Sequence, residues 1–175
     1  DLHSLRQGIG IVFQDSFLFS NTVAANIAFG TPHAQEEQIW RAAEMASADD
    51  FIREMPQGLQ SMIGEHGANL SGGQRQRLSL ARAILTSPGV LLLDDATASV
   101  DPETEHEIQE AMLNATENRT TLIVSNRLST LRRMDRILIL NEGQLQAEGS
   151  HQELRQTNPW YHMMAEMQFA DSFVS

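Results

Sequence analysis

Leu70-Ser71-Gly72-Gly73-Gln74-Arg75-Gln76-Arg77, continued by Ala81-Arg82-Ala83 and then by Val90-Leu91-Leu92-Leu93-Asp94-Asp95, is the stretch on which the fold turns. Two glycines open a helical run. Gly72 and Gly73 carry no Cβ, so an anion can come close to the backbone there. A helix N-terminus presents unpaired N–H groups and about half a positive charge. Ser71 is placed to cap the helix, and its hydroxyl can also donate to a phosphate. Arg75, Arg77 and Arg82 follow on the same helix. The second half, four apolar residues ending in two aspartates, reads as a buried strand with carboxylates at its C-terminal end. In an open α/β sheet that end faces the ligand crevice, where a carboxylate suits a metal ion. A bare serine-glycine-glycine more often marks only a capped surface helix; here the strand and further motifs that follow in order outweigh that reading.

Outward from this pair, strands alternate with helices. Ile9 to Phe13 is a short β-branched and aromatic run, read as a strand that Gln14-Asp15 ends. Phe17, Leu18 and Phe19 anchor the loop after it. Thr22 to Ala28 reads as a short helix, and Gln35 to Ala46 shows helical spacing through Ile39, Trp40, Ala43 and Met45. Asp49-Asp50 could cap a further helix, Phe51 to Met55. Pro56 to Leu59 is a turn, Ile63 to Asn69 a glycine-punctuated loop, and Ser71 to Leu85 the helix of the opening stretch. Ser87-Pro88-Gly89 turns into the apolar strand. Asp101-Pro102 opens a helix to about Asn114. Thr121 to Ser125 and Arg136 to Leu140 are strands, and Asn141-Glu142-Gly143 turns the latter into Gln144 to Ala147. Ser150 to Gln156 and Pro159 to Gln168 are helices. This alternation predicts a mostly parallel sheet with helices on both faces.

Composition narrows the class. The chain has 175 residues, 41% of them apolar, which suits one domain with a core. Its formal net charge is −11, which argues against nucleic acid as a partner, since phosphate backbones need a basic face. No cysteine is present, so disulfides, thiol chemistry and cysteine metal sites are excluded. No apolar run reaches the ~18 residues of a membrane span. Six histidines show no H-x-x-x-H or H-E-x-x-H spacing and read as surface residues. Gly8-Ile9-Gly10 lacks the third glycine and the helix of a dinucleotide fingerprint. Trp160, Met163, Met164, Met167 and Phe169 form an apolar stripe that reads as packing, with a dimer or partner contact as the lesser alternative.

In this order the motifs resemble the ATP-binding-cassette (ABC) ATPases, where Leu70 to Gln74 matches the signature and Val90 to Asp95 matches Walker B. The resemblance runs from Asp1 to about Met167. Val12-Phe13-Gln14-Asp15, Leu18 to Val23, Ala25-Asn26-Ile27 and Ile63 to Gly67 are similar to the exporter type in detail. It implies a P-loop NTPase-like sheet with an α-helical signature subdomain. Residues 34–88 would be that subdomain, 1–33 and 89–150 the core sheet, and 151–175 C-terminal helices. The nucleotide would be ATP with Mg²⁺. No G-x-x-x-x-G-K-[ST] occurs in the chain, so the resemblance implies that the domain's N-terminal part, with the P-loop, lies upstream of Asp1. The 175 residues alone are then not expected to hydrolyse ATP.

The resemblance assigns roles residue by residue. Gln14 matches the Q-loop glutamine that reaches Mg²⁺ and the attacking water. Asp94 matches the carboxylate that holds Mg²⁺, usually through water. Ser71, Gly72, Gly73 and Gln74 would contact the nucleotide of an opposing cassette, and Asp101 matches the D-loop that crosses to it. Two positions depart from the family. Asp95 stands where active cassettes carry a glutamate general base, and it is one methylene shorter. Asn126, in Leu122 to Ser129, stands where a histidine reaches the γ-phosphate, and asparagine cannot exchange a proton at neutral pH. The expectation is a weak hydrolytic cluster beside an intact signature, as in one half of a heterodimeric exporter. The Q-loop and the Glu65 loop would touch the coupling helices of a transmembrane domain, at the cytoplasmic face of a plasma or inner membrane. The alternative is a non-transport cassette ATPase of DNA repair, chromosome maintenance or translation. The short spacing from Gln14 to Leu70, the Glu65 loop and the acidic charge weigh against it.

Overall fold

A computed structural model describes residues 1–94, 110–112, 115–116 and 119–171. The chain divides into two compact units, Asp1–Val124 and Ser125–Ser175.

The first unit opens with a helix, α1 (Leu2–Gln7), which the sequence reading leaves unassigned. Strand β1 (Ile9–Val12) follows, then α2 (Val23–Ile27), α3 (Glu36–Met45), α4 (Asp49–Glu54), α5 (Gly72–Leu85), β2 (Val90–Asp94) and β3 (Thr120–Val124). The sheet order is β1-β2-β3, and both pairings are parallel. Ile11 lies opposite Leu92, and Leu92 opposite Leu122. Because side chains alternate along a strand, Val12, Leu91 and Leu93 point to one face and are buried. The other face carries Ile11 (47% exposed), Leu122 (52%) and Val124 (57%). The described residues thus place helices over one face of this sheet.

Helix α5 fills the space between the sheet and helices α2 and α3. Its Gly73, Gln76, Leu78, Leu80, Ala81, Ala83 and Ile84 are all buried, the all-round burial of a central helix. Gly10 permits close approach: a Cβ there would lie 2.9 Å from Pro88 Cγ and 3.3 Å from the Ala83 carbonyl oxygen. Ala83, late in α5, lies against early β1, while Gln76, early in α5, lies against Phe13, just past the end of β1. Helix α5 therefore runs antiparallel to β1, and its N-terminus extends past the C-terminal ends of the strands.

One reading needs correction. Asp49 and Asp50 do not cap a helix. Ala48 occupies that position without a side-chain bond, and both aspartates sit in the first turn of α4, where carboxylates still favour the positive helix end. The helix expected over 101–114 falls mainly outside the described residues, though 110–112 are helical.

The second unit contains α6 (Leu128–Leu131), a hairpin of β4 (Ile137–Asn141) and β5 (Gln144–Gly149), α7 (His151–Thr157) and α8 (Pro159–Asp171). Glu142 and Gly143 turn the hairpin, both with positive φ, as a two-residue loop twisted to suit the strands requires. Ser150 caps α7 in a reciprocal box with Glu153. Leu128, Ile137, Leu154, Tyr161 and Ala165 form the core. The stripe on α8 divides. Met164 packs beside Tyr161 and Ala165, whereas Trp160, Met163 and Met167 are exposed. Only the positions in helical step with Tyr161 face inward, so the packing reading holds for Met164 alone among these four.

Candidate nucleotide site

The signature segment is held by its own backbone. Ser71 has extended φ and ψ and caps α5: its Oγ accepts from the Gln74 amide at 3.1 Å, and Gln74 Oε1 accepts from the Ser71 amide at 3.0 Å. This reciprocal box satisfies two donors that the helix cannot satisfy itself. The cap uses a lone pair of the Ser71 hydroxyl and leaves its proton available to an anionic oxygen.

The arginines that follow turn inward instead. Arg75 donates to the Leu70 carbonyl at 2.7 Å, and Arg77 donates to the Ser47 carbonyl while lying over the Phe51 ring. Arg82 donates to the Asn26 carbonyl (2.8 Å), the Phe17 carbonyl (2.9 Å) and Asn26 Oδ1 (3.0 Å). Burial pushes the Arg82 guanidinium below its ordinary value, yet an arginine remains charged at neutral pH. These side chains stiffen the helix behind the signature.

Gln14 and Asp94 lie at the same end of the sheet, at the C-terminal ends of neighbouring strands. Val12, the last residue of β1, pairs with Leu93. Gln14 follows two residues on, and Asp94 ends the neighbouring strand; both are exposed. The crevice at the C-terminal ends of parallel strands therefore holds one carboxylate and one carboxamide, on the side toward which the α5 N-terminus projects. Among the described residues no group of three histidine, aspartate or glutamate side chains is placed to hold a metal. A strand-end carboxylate such as Asp94 fits Mg²⁺, which takes one or two carboxylates and fills its remaining positions with water and phosphate oxygens.

The loop after β1 is held by Asn26 and Gln76, to which the sequence reading gave no such role, besides the aromatic anchors it named. Asn26 is 1% exposed. Its Oδ1 accepts from the Phe19 amide (2.8 Å), and its Nδ2 donates to the carbonyls of Phe19 (2.9 Å) and Thr22 (3.0 Å). Gln76, also buried, bonds the Phe13 carbonyl and the Ser16 hydroxyl. A polar residue among apolar positions of a helix was the available signal. Phe17 touches Phe19 and His66 edge-on, with centroids 5.0 and 5.2 Å apart, and Phe19 stacks on Phe29 at 4.5 Å. The Glu65 loop thus lies beside the loop that carries Gln14. His66 adopts φ 51°, which costs a non-glycine residue roughly 1–2 kcal/mol, and Gly67, at φ 73°, has Arg75 Cδ 2.8 Å from where a Cβ would stand.

Asn126 belongs to the second unit and is exposed. Its carbonyl accepts from Gln168 Nε2 at 2.8 Å, while Gln168 Oε1 accepts from the Leu128 amide at 2.7 Å. The long helix α8 thereby holds the segment around Asn126. Asp95 and Asp101 lie outside the described residues.

A family model for the ABC transporter matches residues 1–98, more than half of the chain, and the chain belongs to that family. Its relatives are exporters and their ATP-binding proteins. It is 46% identical over 170 residues to the ABC transporter ATP-binding protein YknU of Bacillus subtilis, covering 97% of this chain and 29% of that protein. An ATP-dependent lipid A-core flippase of Syntrophus aciditrophicus is 46% identical over 173 residues, covering 99% and 29%. Among solved structures, a bacterial Atm1-family ABC exporter with ATP bound matches with a TM-score of 0.86 and 41% identity, over 95% of this chain and 29% of that one. The chain thus spans less than a third of the length of these relatives. It corresponds to an exporter-type ABC ATP-binding domain. Among the described residues no helix is long and apolar enough to cross a membrane.

Proposed function

We propose that this chain is the C-terminal part of the nucleotide-binding domain of an ABC exporter, coupling ATP binding and hydrolysis to transport across a membrane. The observation that carries the reading is the α5 N-terminus, capped by Ser71 and Gln74 and projecting past the C-terminal end of the sheet, where Gln14 and Asp94 lie. Residues 34–88 serve as the helical subdomain, 1–33 and 89–150 as the core, and 151–175 as C-terminal helices. The phosphate-cradling loop comes from outside these 175 residues, which contain no lysine. Asp94 and Gln14 hold Mg²⁺, which when bound neutralises charge on the transferring phosphoryl group. Ser71, Gly72, Gly73 and Gln74 contact the nucleotide of an opposing cassette, and Asp101 contacts that cassette.

The chain's own hydrolytic cluster is weakened. Asp95 falls short of the reach of a glutamate, and Asn126 offers hydrogen bonds without proton exchange. The opposing cassette is therefore a different, competent chain. Phe17 and the Glu65 loop, adjacent on one surface, receive the coupling helices of the transmembrane domain, which places the chain at the cytoplasmic face.

The test is ATP turnover by the full-length transporter. Asp95→Asn leaves total turnover within about twofold of the parent, because a residue that contributes little as a base is replaced, whereas loss of a working base typically costs about 10²–10⁴. A near-complete loss overturns the weakened-site reading. Retention of Mg-ATP by the parent and its loss in Asp94→Asn checks the assignment of the metal ligand.

A further inference from the structure

We infer that Gln76 is a positioning residue that ties the loop bearing Gln14 to the helix bearing the signature, so that this chain's own nucleotide site and the site it completes on its partner move together. The inference rests on the function proposed above. Gln76 is 5% exposed and stands five residues after Ser71, about 7 Å along the helix axis. Its two amide atoms grip both flanks of Gln14. Nε2 donates to the carbonyl of Phe13 at 3.4 Å, and Oε1 accepts from the hydroxyl of Ser16. A carboxamide supplies a donor and an acceptor on one planar, uncharged group. Six residues further along the helix, Arg82 holds the carbonyls of Phe17 and Asn26. The whole segment from Phe13 to Asn26 is thus clasped to α5 at two points, and the Gln76 clasp is the one that adjoins Gln14.

A shift of Gln14 toward or away from the nucleotide pulls on Phe13 and Ser16. Because their shared partner is buried on a central helix, the displacement reaches the signature end of α5. The interior around Gln76 is packed and leaves the clasp little slack. Gln76 touches neither nucleotide, so its loss should alter turnover and communication between sites far more than nucleotide affinity.

The experiment uses the full-length transporter with its partner, with Mg-ATP as the probe. Gln76→Leu removes both bonds at similar volume. Ser16→Ala removes one bond from the surface side and leaves the core intact, so it reports even if Gln76→Leu fails to fold. Both variants are expected to lower kcat, by about tenfold to a hundredfold for Gln76→Leu given the cost of small misplacements and by less for Ser16→Ala. KM for ATP changes less than threefold in each, and the Hill coefficient falls toward 1. The melting temperature of Ser16→Ala falls by no more than a few degrees, the cost of one unpaired acceptor, too little for lost stability to account for the lost turnover. The two changes are less than additive when combined, because they break the same clasp. Parent-like kcat and Hill coefficient in folded variants overturn the inference and leave the proposed function standing. A parent protein that neither retains nor hydrolyses Mg-ATP removes both.

Discussion

Replacing Asn26 with alanine tests whether the loop after β1 is held by one buried carboxamide. The structure permits the loss to be worked out bond by bond. Thr22 keeps a partner, because its carbonyl also accepts the Asn26 backbone amide at 3.0 Å. Arg82 keeps the carbonyls of Asn26 and Phe17. The Phe19 carbonyl keeps the Asn21 amide at 2.8 Å, so the group that loses its partner is the Phe19 amide. Leaving a buried polar group unsatisfied costs about 1–3 kcal/mol, so the Phe19 amide comes to about 2 kcal/mol. At 1.4 kcal/mol per factor of ten, amide hydrogens from Phe17 to Val23 should exchange about thirtyfold faster through local opening. The assay is hydrogen–deuterium exchange on the full-length protein, with a peptide from α8 as the internal reference. Asn26→Asp keeps the Oδ1 acceptor for Phe19 and Arg82, so it should show a smaller acceleration. Exchange in Asn26→Ala within threefold of the parent would refute the reasoning, and the loop would then be held by its aromatic contacts instead.

Ser71→Asp should keep the α5 cap, since aspartate caps as well as serine, while setting a negative charge where the signature meets phosphate. Thermal stability is expected to stay within about 0.5 kcal/mol of the parent and ATP turnover of the full transporter to fall at least tenfold; retained turnover would remove the serine from the site. His151 is pushed below its ordinary value by desolvation and by the positive charges of Arg155 and Arg132, and its Nδ1 lies 2.9 Å from the Tyr161 hydroxyl. Its folded pKa being lower than its unfolded one, the unfolded chain binds the extra proton first, so this contribution to stability is complete above about pH 6.5 and declines as pH falls below it. Titration of the His151 ring by NMR should give a midpoint below the ordinary histidine range, and His151→Gln should flatten the acid limb of a melting-temperature profile for the second unit.

The elements legible in the sequence are those whose causes lie close together along the chain. Ser71 and Gln74 are three residues apart, and Ser150 and Glu153 likewise; both pairs cap helices as their spacing requires. Four apolar residues before Asp94 place it at a strand end without reference to anything distant. Helix α1 escaped notice because it is short, with leucines only at Leu2 and Leu5 and no capping signal. Helix α6 escaped because it lies within the segment around Asn126, which was read for its motif rather than its backbone. The helix start at Asp49 and Asp50 differs from the reading by two residues because a capping aspartate and a first-turn aspartate satisfy the same electrostatics.

The sequence by itself determined the class of the sheet, the strand-end position of Asp94 and the helix that starts at Ser71, because hydrophobic periodicity and reciprocal capping act over a few residues. Only the tertiary structure decided what Gln76, Arg82 and Asn26 do. Gln76 meets Phe13 across 63 positions and Arg82 meets Asn26 across 56, and no local pattern encodes which carbonyl a buried side chain will find. Packing also settled that Met164 turns into the core while Trp160, Met163 and Met167 face outward. All four are apolar, and only the shape of the cavity that receives a helix selects which of its apolar residues fill it.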